Sequence, residues 1–228
     1  MEENMSFGVI FDLDGTLLDT LTSILYHVNA TLAAYRLEPI SMEECKSFIG
    51  NGARKLITRA FASRGVYDES VVDEALARYN AAYDADPYVG TSPFDGIEAL
   101  LHGLCRHGVS IAVVSNKPQP TVERLLAHFF PDVPFAVRIG GRADLPLKPH
   151  PDLGTYVLSR LALSPTEVTM VGDSDVDISF AHAIGTRGIG VSWGFRSREC
   201  LAGAGADAIV DTADALLALL LTDCPTDI

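Results

Sequence analysis

The sequence predicts an α/β protein, a parallel sheet with a separate all-helical insert, on three observations. Six short runs rich in Val, Ile and Phe are apolar nearly throughout, as strands covered on both faces are. From the second run onward each is followed by a plausible helix, the alternation of a parallel sheet. Between the first run and the helix that precedes the second, roughly seventy residues intervene where a connection usually takes about 2–6, and they carry helical periodicity of their own.

In chain order, FGVIFD (7–12) is the first strand. The insert then shows three apolar stripes at helical spacing: Leu21, Ile24, Leu25, Val28 and Leu32; Leu56, Ile57, Ala60 and Phe61; Val71, Val72, Ala75, Leu76 and Tyr79. Its exit, ADPYVGTSPFDG (85–96), is rich in Pro, Gly and Ser and reads as a linker. Ile97, Leu100, Leu101 and Leu104 make a helix before the second strand, VSIAVVS (109–115). FAVRIG (135–140), EVTMVGD (167–173), GIGVS (188–192) and AIVD (208–211) complete the set. There are no internal repeats and no low-complexity segment.

With 228 residues, 48% hydrophobic and 21% charged, the chain can bury a substantial core. A formal net charge of −13 argues against nucleic acid and anionic membranes as partners, because both need clustered Lys and Arg. An anionic ligand must therefore be drawn in by a local device. Cys45, Cys105, Cys200 and Cys224 lack CxxC spacing, which disfavours zinc and points to reduced thiols in a cytoplasmic protein. The start, MEENMSFGVIFDL, has neither a basic n-region nor a long apolar stretch, so export is not expected.

Ligands of an open parallel sheet bind beyond the carboxyl ends of its strands. There the first strand ends in Asp12, Asp14, Gly15 and Thr16; the second in Ser115, Asn116 and Lys117; the third in Gly140 and Gly141 with Lys148 beyond; the fourth in Asp173, Ser174 and Asp177. Acidic groups, a hydroxyl and a lysine on one edge suit a divalent cation and a phosphate, through oxygen ligands and charge-assisted hydrogen bonds respectively. Taken singly, Ser115 could cap a helix and Lys148 could be a solvated charge.

Together, DLDGT, the strand ending in SNK, the lysine of LKPHPD and GDSDVDI resemble, in order, the four motifs of the haloacid dehalogenase superfamily of aspartate-nucleophile phosphatases. FIGNGARKLITRAF, SNKPQPTVERLL and IGGRADLPLKPHPD are similar to the phosphoglycolate phosphatase-like group. Leu147 stands where that group often carries a second lysine. The resemblance implies a Rossmann-like core over 1–17 and 86–228, with the helical cap domain at 18–85. It implies Asp12 as nucleophile, Asp14 as general acid and base, and Mg²⁺ held by the Asp12 and Asp173 carboxylates and the Asp14 main-chain carbonyl. Asp177 would bind through water or hold Asp173 and Lys148 in place. Ser115 and Asn116 would donate hydrogen bonds to the phosphoryl group of a small phosphorylated metabolite, and Lys148 would neutralise its charge.

In the insert, Gly50, Asn51 and Gly52 could form an ordinary turn before a helix, or could face the site with Arg54 beside a substrate carboxylate or phosphate. Asp175 reads as a first-turn residue and His150 as structural. Within enzymes the main alternative to a phosphatase is a sugar phosphomutase on the same scaffold. Outside them it is a phospho-receiver module, whose acceptor aspartate should follow the third strand; here that strand ends in Gly140 and Gly141.

Overall fold

The computed structural model describes residues 7–223; Cys224 and the acidic first residues lie outside them. All six expected strands are present and lie in one parallel sheet: β1 (Gly8–Phe11), β4 (Ser110–Pro118), β5 (Val137–Gly141), β6 (Val168–Gly172), β7 (Arg187–Val191) and β8 (Ala208–Val210). Their order is β5-β4-β1-β6-β7-β8, the doubly wound arrangement in which the chain reverses direction across the sheet at β1. Side chains alternate along each strand and feed two cores. Val9, Phe11, Ile111 and Val113 enter the apolar layer under α5 (Ile97–Arg106), α6 (Gln119–Phe129) and α10 (Ala213–Asp223). Ile10, Ala112, Val114 and Met170 enter the layer under α7 (Pro151–Leu161) and α8 (Asp175–Ile184). A short α9 (Arg198–Gly203) lies between β7 and β8. Apolar residues on both faces explain why the strands read as continuous runs.

The insert contains four helices: α1 (Leu21–Ala34), α2 (Met42–Phe48), α3 (Ala53–Ala62) and α4 (Glu69–Ala85). The three stripes fall on α1, α3 and α4 and close on one another in a third apolar cluster, with Val28, Leu32, Ile57, Phe61 and Ala75 fully buried. Helix α2 had no stripe to announce it, since Cys45 is its one buried residue, but it opens on a capping box between Ser41 and Glu44. Burial pushes the Cys45 thiol up to about 12, so it is an inert core group.

Entry to and exit from the insert run side by side. β2 (Leu18–Asp19) and β3 (Ser92–Pro93) pair antiparallel, so the segment that read as a linker is one strand of a two-residue ribbon. No helix among the described residues is long and apolar enough to cross a membrane.

Candidate active site

The strand ends do converge. At the end of β1 the Asp12 N–H donates to Val171 O at 2.9 Å, which holds the residue against β6 as the chain leaves the sheet. Gly15 then adopts φ +86°, and a Cβ there would lie 2.3 Å from a carboxylate oxygen of Asp173. Only glycine combines that backbone with that approach. From the other side, a Cβ on Gly194 would lie 2.4 Å from Gly15 O and 2.3 Å from Asp173 Cβ. Two glycines thus let backbone close around the Asp173 side chain.

Asp12, Asp173 and Asp177 bring carboxylate oxygens within 4.8 Å of one another. Lys148 Nζ sits between two of them, 2.9 Å from Asp12 Oδ1 and 2.7 Å from Asp177 Oδ1, with its side chain 2% exposed. The second Asp177 oxygen accepts from Ser174 N at 3.1 Å and Ser174 Oγ at 2.6 Å, a capping box that starts α8. Asp173 accepts from Phe195 N at 2.7 Å and from the Thr16 hydroxyl at 3.4 Å. Burial drives the Asp12 carboxyl up to about 7; Lys148 pulls the other way, while Asp177 and Asp14 add repulsion. Burial, then Asp177 and Asp12, likewise raise Asp173 well above the usual carboxylate range. For Lys148 burial works downward, but Asp12 and Asp177 outweigh it and hold the ammonium above its ordinary value. Three buried carboxylates against one ammonium form an oxygen-only set short of positive charge, which suits a hard divalent cation.

Ser115 is buried at the cleft, its hydroxyl accepting from Lys117 N at 3.3 Å. The Asn116 side chain is engaged elsewhere. Its amide nitrogen donates to Gly50 O at 3.0 Å and Lys148 O at 3.1 Å, and its Oδ1 accepts from Lys148 N at 2.8 Å. Both amide hydrogens are committed, so the side chain has no donor left for a phosphoryl group. Instead it fixes the loop that carries Lys148 and touches the insert.

Asp14 lies on the other side of the cleft. It accepts from the Thr20 hydroxyl at 2.7 Å, and Lys117 Nζ lies 2.9 Å and 3.0 Å from its two oxygens. The ammonium also sits 4.4 Å from the centroid of the Tyr83 ring of α4. Burial works to lower the Lys117 pKa, yet Asp14 and Tyr83 hold it above its ordinary value. Sequence reasoning put Lys117 at the right strand end but gave it no part in the site. Its signal was modest, a third consecutive polar residue after an apolar run.

From the insert, Gly50, Gly52 and Ala53 line the cleft together with Leu56, Tyr79 and Tyr83. Asn51 and Arg54 do not. Asn51 Oδ1 accepts from Arg59 at 2.8 Å, and Arg54 is an exposed residue paired with Glu69 at 2.7 Å and with Asp73. Both carboxylates sit on α4, and they hold the guanidinium away from the site. The cation that reaches this loop comes from the sheet side: Arg196, after β7, donates to Ile49 O at 2.6 Å and to Lys46 O, while Phe195 packs into the insert's apolar cluster. The whole cleft has a volume of about 780 Å³ including its mouth.

Comparison with known proteins agrees with this geometry. Residues 9–191 match the family model described as haloacid dehalogenase-like hydrolase. The chain is 36% identical over 212 residues to a phosphoglycolate phosphatase of Rhodospirillum rubrum, covering 91% of this chain and 88% of that protein. It is 33% identical over 214 residues to a phosphoglycolate phosphatase of Pectobacterium atrosepticum, covering 93% and 92%. A crystal structure from Lactobacillus delbrueckii subsp. bulgaricus superposes with a TM-score of 0.89 at 30% identity, over 93% of this chain and 97% of that one. With the motif residues gathered at one sheet edge and the family model matched from β1 through β7, the chain belongs to the haloacid dehalogenase-like hydrolases.

Proposed function

We propose that this hydrolase is a Mg²⁺-dependent phosphomonoesterase acting on 2-phosphoglycolate through an aspartyl-phosphate. The observation that carries the reading is the pair formed by Asp12 and Lys148 at the switch point of the sheet, with Asp173 and Asp177 around it and Asp14 across the cleft. The substrate follows from the names of the relatives that match along most of their length.

Asp12 attacks phosphorus while the bond to the leaving alkoxide breaks, and Asp14 gives that oxygen a proton. Water then attacks the phosphorus of the aspartyl-phosphate, Asp14 takes its proton, and Asp12 is restored as inorganic phosphate departs. Lys148 stays beside the oxygens on which charge accumulates, and the buried Ser115 hydroxyl donates to them. The acidic set of Asp12, Asp173 and Asp177 suits Mg²⁺; the Asp12 and Asp173 carboxylates, with the Asp14 main-chain carbonyl, would hold it, and it would supply Lewis-acid charge stabilisation. Asp177 positions Lys148.

Residues 18–85 act as a cap hinged on the β2–β3 ribbon, a reading supported by their separate apolar cluster. Closure brings the α3 N-terminus over the substrate and excludes water that would compete with it.

A phosphate-release screen of 2-phosphoglycolate against sugar phosphates, pyrophosphate and nucleotides, with and without Mg²⁺, tests the assignment. The expected result is metal-dependent release, fastest from 2-phosphoglycolate. Release from none of them removes the phosphatase reading, and isomerised sugar phosphate with little free phosphate replaces it by a mutase.

A further inference from the structure

The mechanism above leaves one buried cation without a task. Three cationic side chains line the cleft among the described residues: Lys117, Lys148 and Arg196. Lys148 lies between Asp12 and Asp177, on the phosphoryl side. Arg196 is occupied with carbonyls of the cap. Lys117, with its side chain 5% exposed, stands on the opposite side, against both oxygens of Asp14.

That position has a chemical meaning. Asp14 can protonate the leaving oxygen only from within hydrogen-bond reach of it. A group one or two carbons beyond that oxygen then comes within reach of an ammonium already in contact with Asp14. Nearby polar atoms are also short of partners: the hydroxyl of Tyr83, a residue 3% exposed, and Asn80 Oδ1 are both buried without a hydrogen bond, and both residues line the cleft. Buried polar groups of that kind mark a place where a ligand completes the hydrogen bonding. The Tyr83 hydroxyl can donate to an anionic oxygen, and the Lys117 ammonium already rests on the same ring. The α3 N-terminus adds its backbone dipole from the cap, since Gly52 and Ala53 line the cleft and Gly52 supplies no side-chain cap.

We propose that Lys117, supported by the Tyr83 hydroxyl, is the specificity-determining residue that reads a carboxylate on the leaving alcohol. The site then takes small phosphomonoesters of hydroxy acids ahead of the phosphates of neutral alcohols. The inference rests on the phosphomonoesterase reading and names the group that selects its substrate. If Lys117 served only as a strut between Asp14 and Tyr83, its loss would slow every substrate alike.

The test compares kcat/KM for 2-phosphoglycolate with that for 2-hydroxyethyl phosphate, the same chain length with a hydroxymethyl in place of the carboxylate. One charge-assisted hydrogen bond predicts that the unaltered enzyme prefers the carboxylate by at least about tenfold. In Lys117→Met that ratio should fall tenfold or more, whatever loss the two esters share, and Lys117→Arg should restore part of it. Lys117→Gln takes the place of the Met variant if the latter does not fold. A preference below tenfold in the unaltered enzyme, or a ratio that falls by less than tenfold in the variant, overturns the assignment. Turnover of 2-hydroxyethyl phosphate and p-nitrophenyl phosphate separates the two levels: activity on these without discrimination removes only the role of Lys117, whereas no release from any ester removes the phosphatase reading itself.

Discussion

Two buried lysines face each other across the cleft, and their surroundings differ in kind. Lys148 is enclosed by Asp12 and Asp177, both fixed by the sheet edge and the start of α8. Lys117 is held between Asp14 at the root of the cap and Tyr83 on a cap helix. One ammonium belongs entirely to the core, the other to the seam between core and cap. On the proposed mechanism the difference teaches a division of labour. Groups assigned to the phosphoryl centre are preorganised within one packed unit, where charge stabilisation is strongest. Groups assigned to the rest of the substrate depend on how two units come together, an arrangement in which specificity can change without disturbing the chemistry.

The most severe way to break the core side is at Asp12, the proposed nucleophile. Asp12→Asn keeps the shape of the side chain and removes the attacking charge, so turnover should fall by about 10⁴-fold or more, as in other sites that lose a nucleophile. Steady-state phosphate release measures it, and an unaltered rate would sink the assigned mechanism. Lys148→Met comes next, at roughly 10²–10³-fold, the usual loss when one preorganised charge-stabilising group is removed. It also leaves Asp12 and Asp177 without their ammonium, and leaving buried charge uncompensated typically costs about 3–5 kcal/mol. The metal-free variant should therefore melt well below the unaltered protein, with Mg²⁺ closing part of the gap. Equal melting temperatures without metal would show that the pair contributes nothing.

A pH series sharpens the same contrast without a mutation. Burial and mutual repulsion raise Asp12 from 3.8 to about 7 and raise Asp173 as well. A carboxyl raised by folding stabilises the fold below its unfolded pKa, and that contribution is lost as pH climbs through the folded value. The metal-free protein should thus lose this contribution between about pH 4 and pH 7, where protons leave the cluster. Mg²⁺ competes with those protons, so its thermal stabilisation should be larger at about pH 8 than at about pH 6. Differential scanning calorimetry at the two pH values decides it, and a metal effect independent of pH would contradict the shifted carboxyls.

How much of this could be read in advance depends on how local each contact is. The sheet was legible because continuous apolar runs such as 111–114 signal burial on both faces, and the meeting of Asp12, Asp173 and Lys148 at one sheet edge was legible because each follows a strand of one unit. Legibility failed where side chains far apart in sequence meet. Arg54 resembled a substrate ligand until Glu69 and Asp73, distant in sequence, took its guanidinium. The Asn116 side chain looked free to donate, but its amide hydrogens meet Gly50 and Lys148. Lys117 reaches Asp14 across 103 positions, a pairing that no local periodicity encodes. The β2–β3 ribbon is only two residues on each side, too short to show alternation.

The smallest expected effect lies in the strap that ties the two units. Phe195 donates its N–H to Asp173 and packs its half-buried ring against the cap cluster, while Arg196 binds the carbonyls of Lys46 and Ile49. Replacing Arg196 by Met should leave the sheet intact and loosen the cap loop. Hydrogen exchange at 50–55 should then quicken while that of β1 stays slow, because local opening draws on few contacts and the sheet exchanges only with wider unfolding. The kcat/KM should drop by no more than about tenfold, roughly the worth of one hydrogen bond to a charged group. Most of that loss should appear in KM, because the strap holds the surface that closes on substrate rather than any group that bonds to phosphorus. A variant with unchanged exchange at the cap loop and a large fall in kcat would place Arg196 in the chemistry instead, and would erase the boundary drawn between the two lysines.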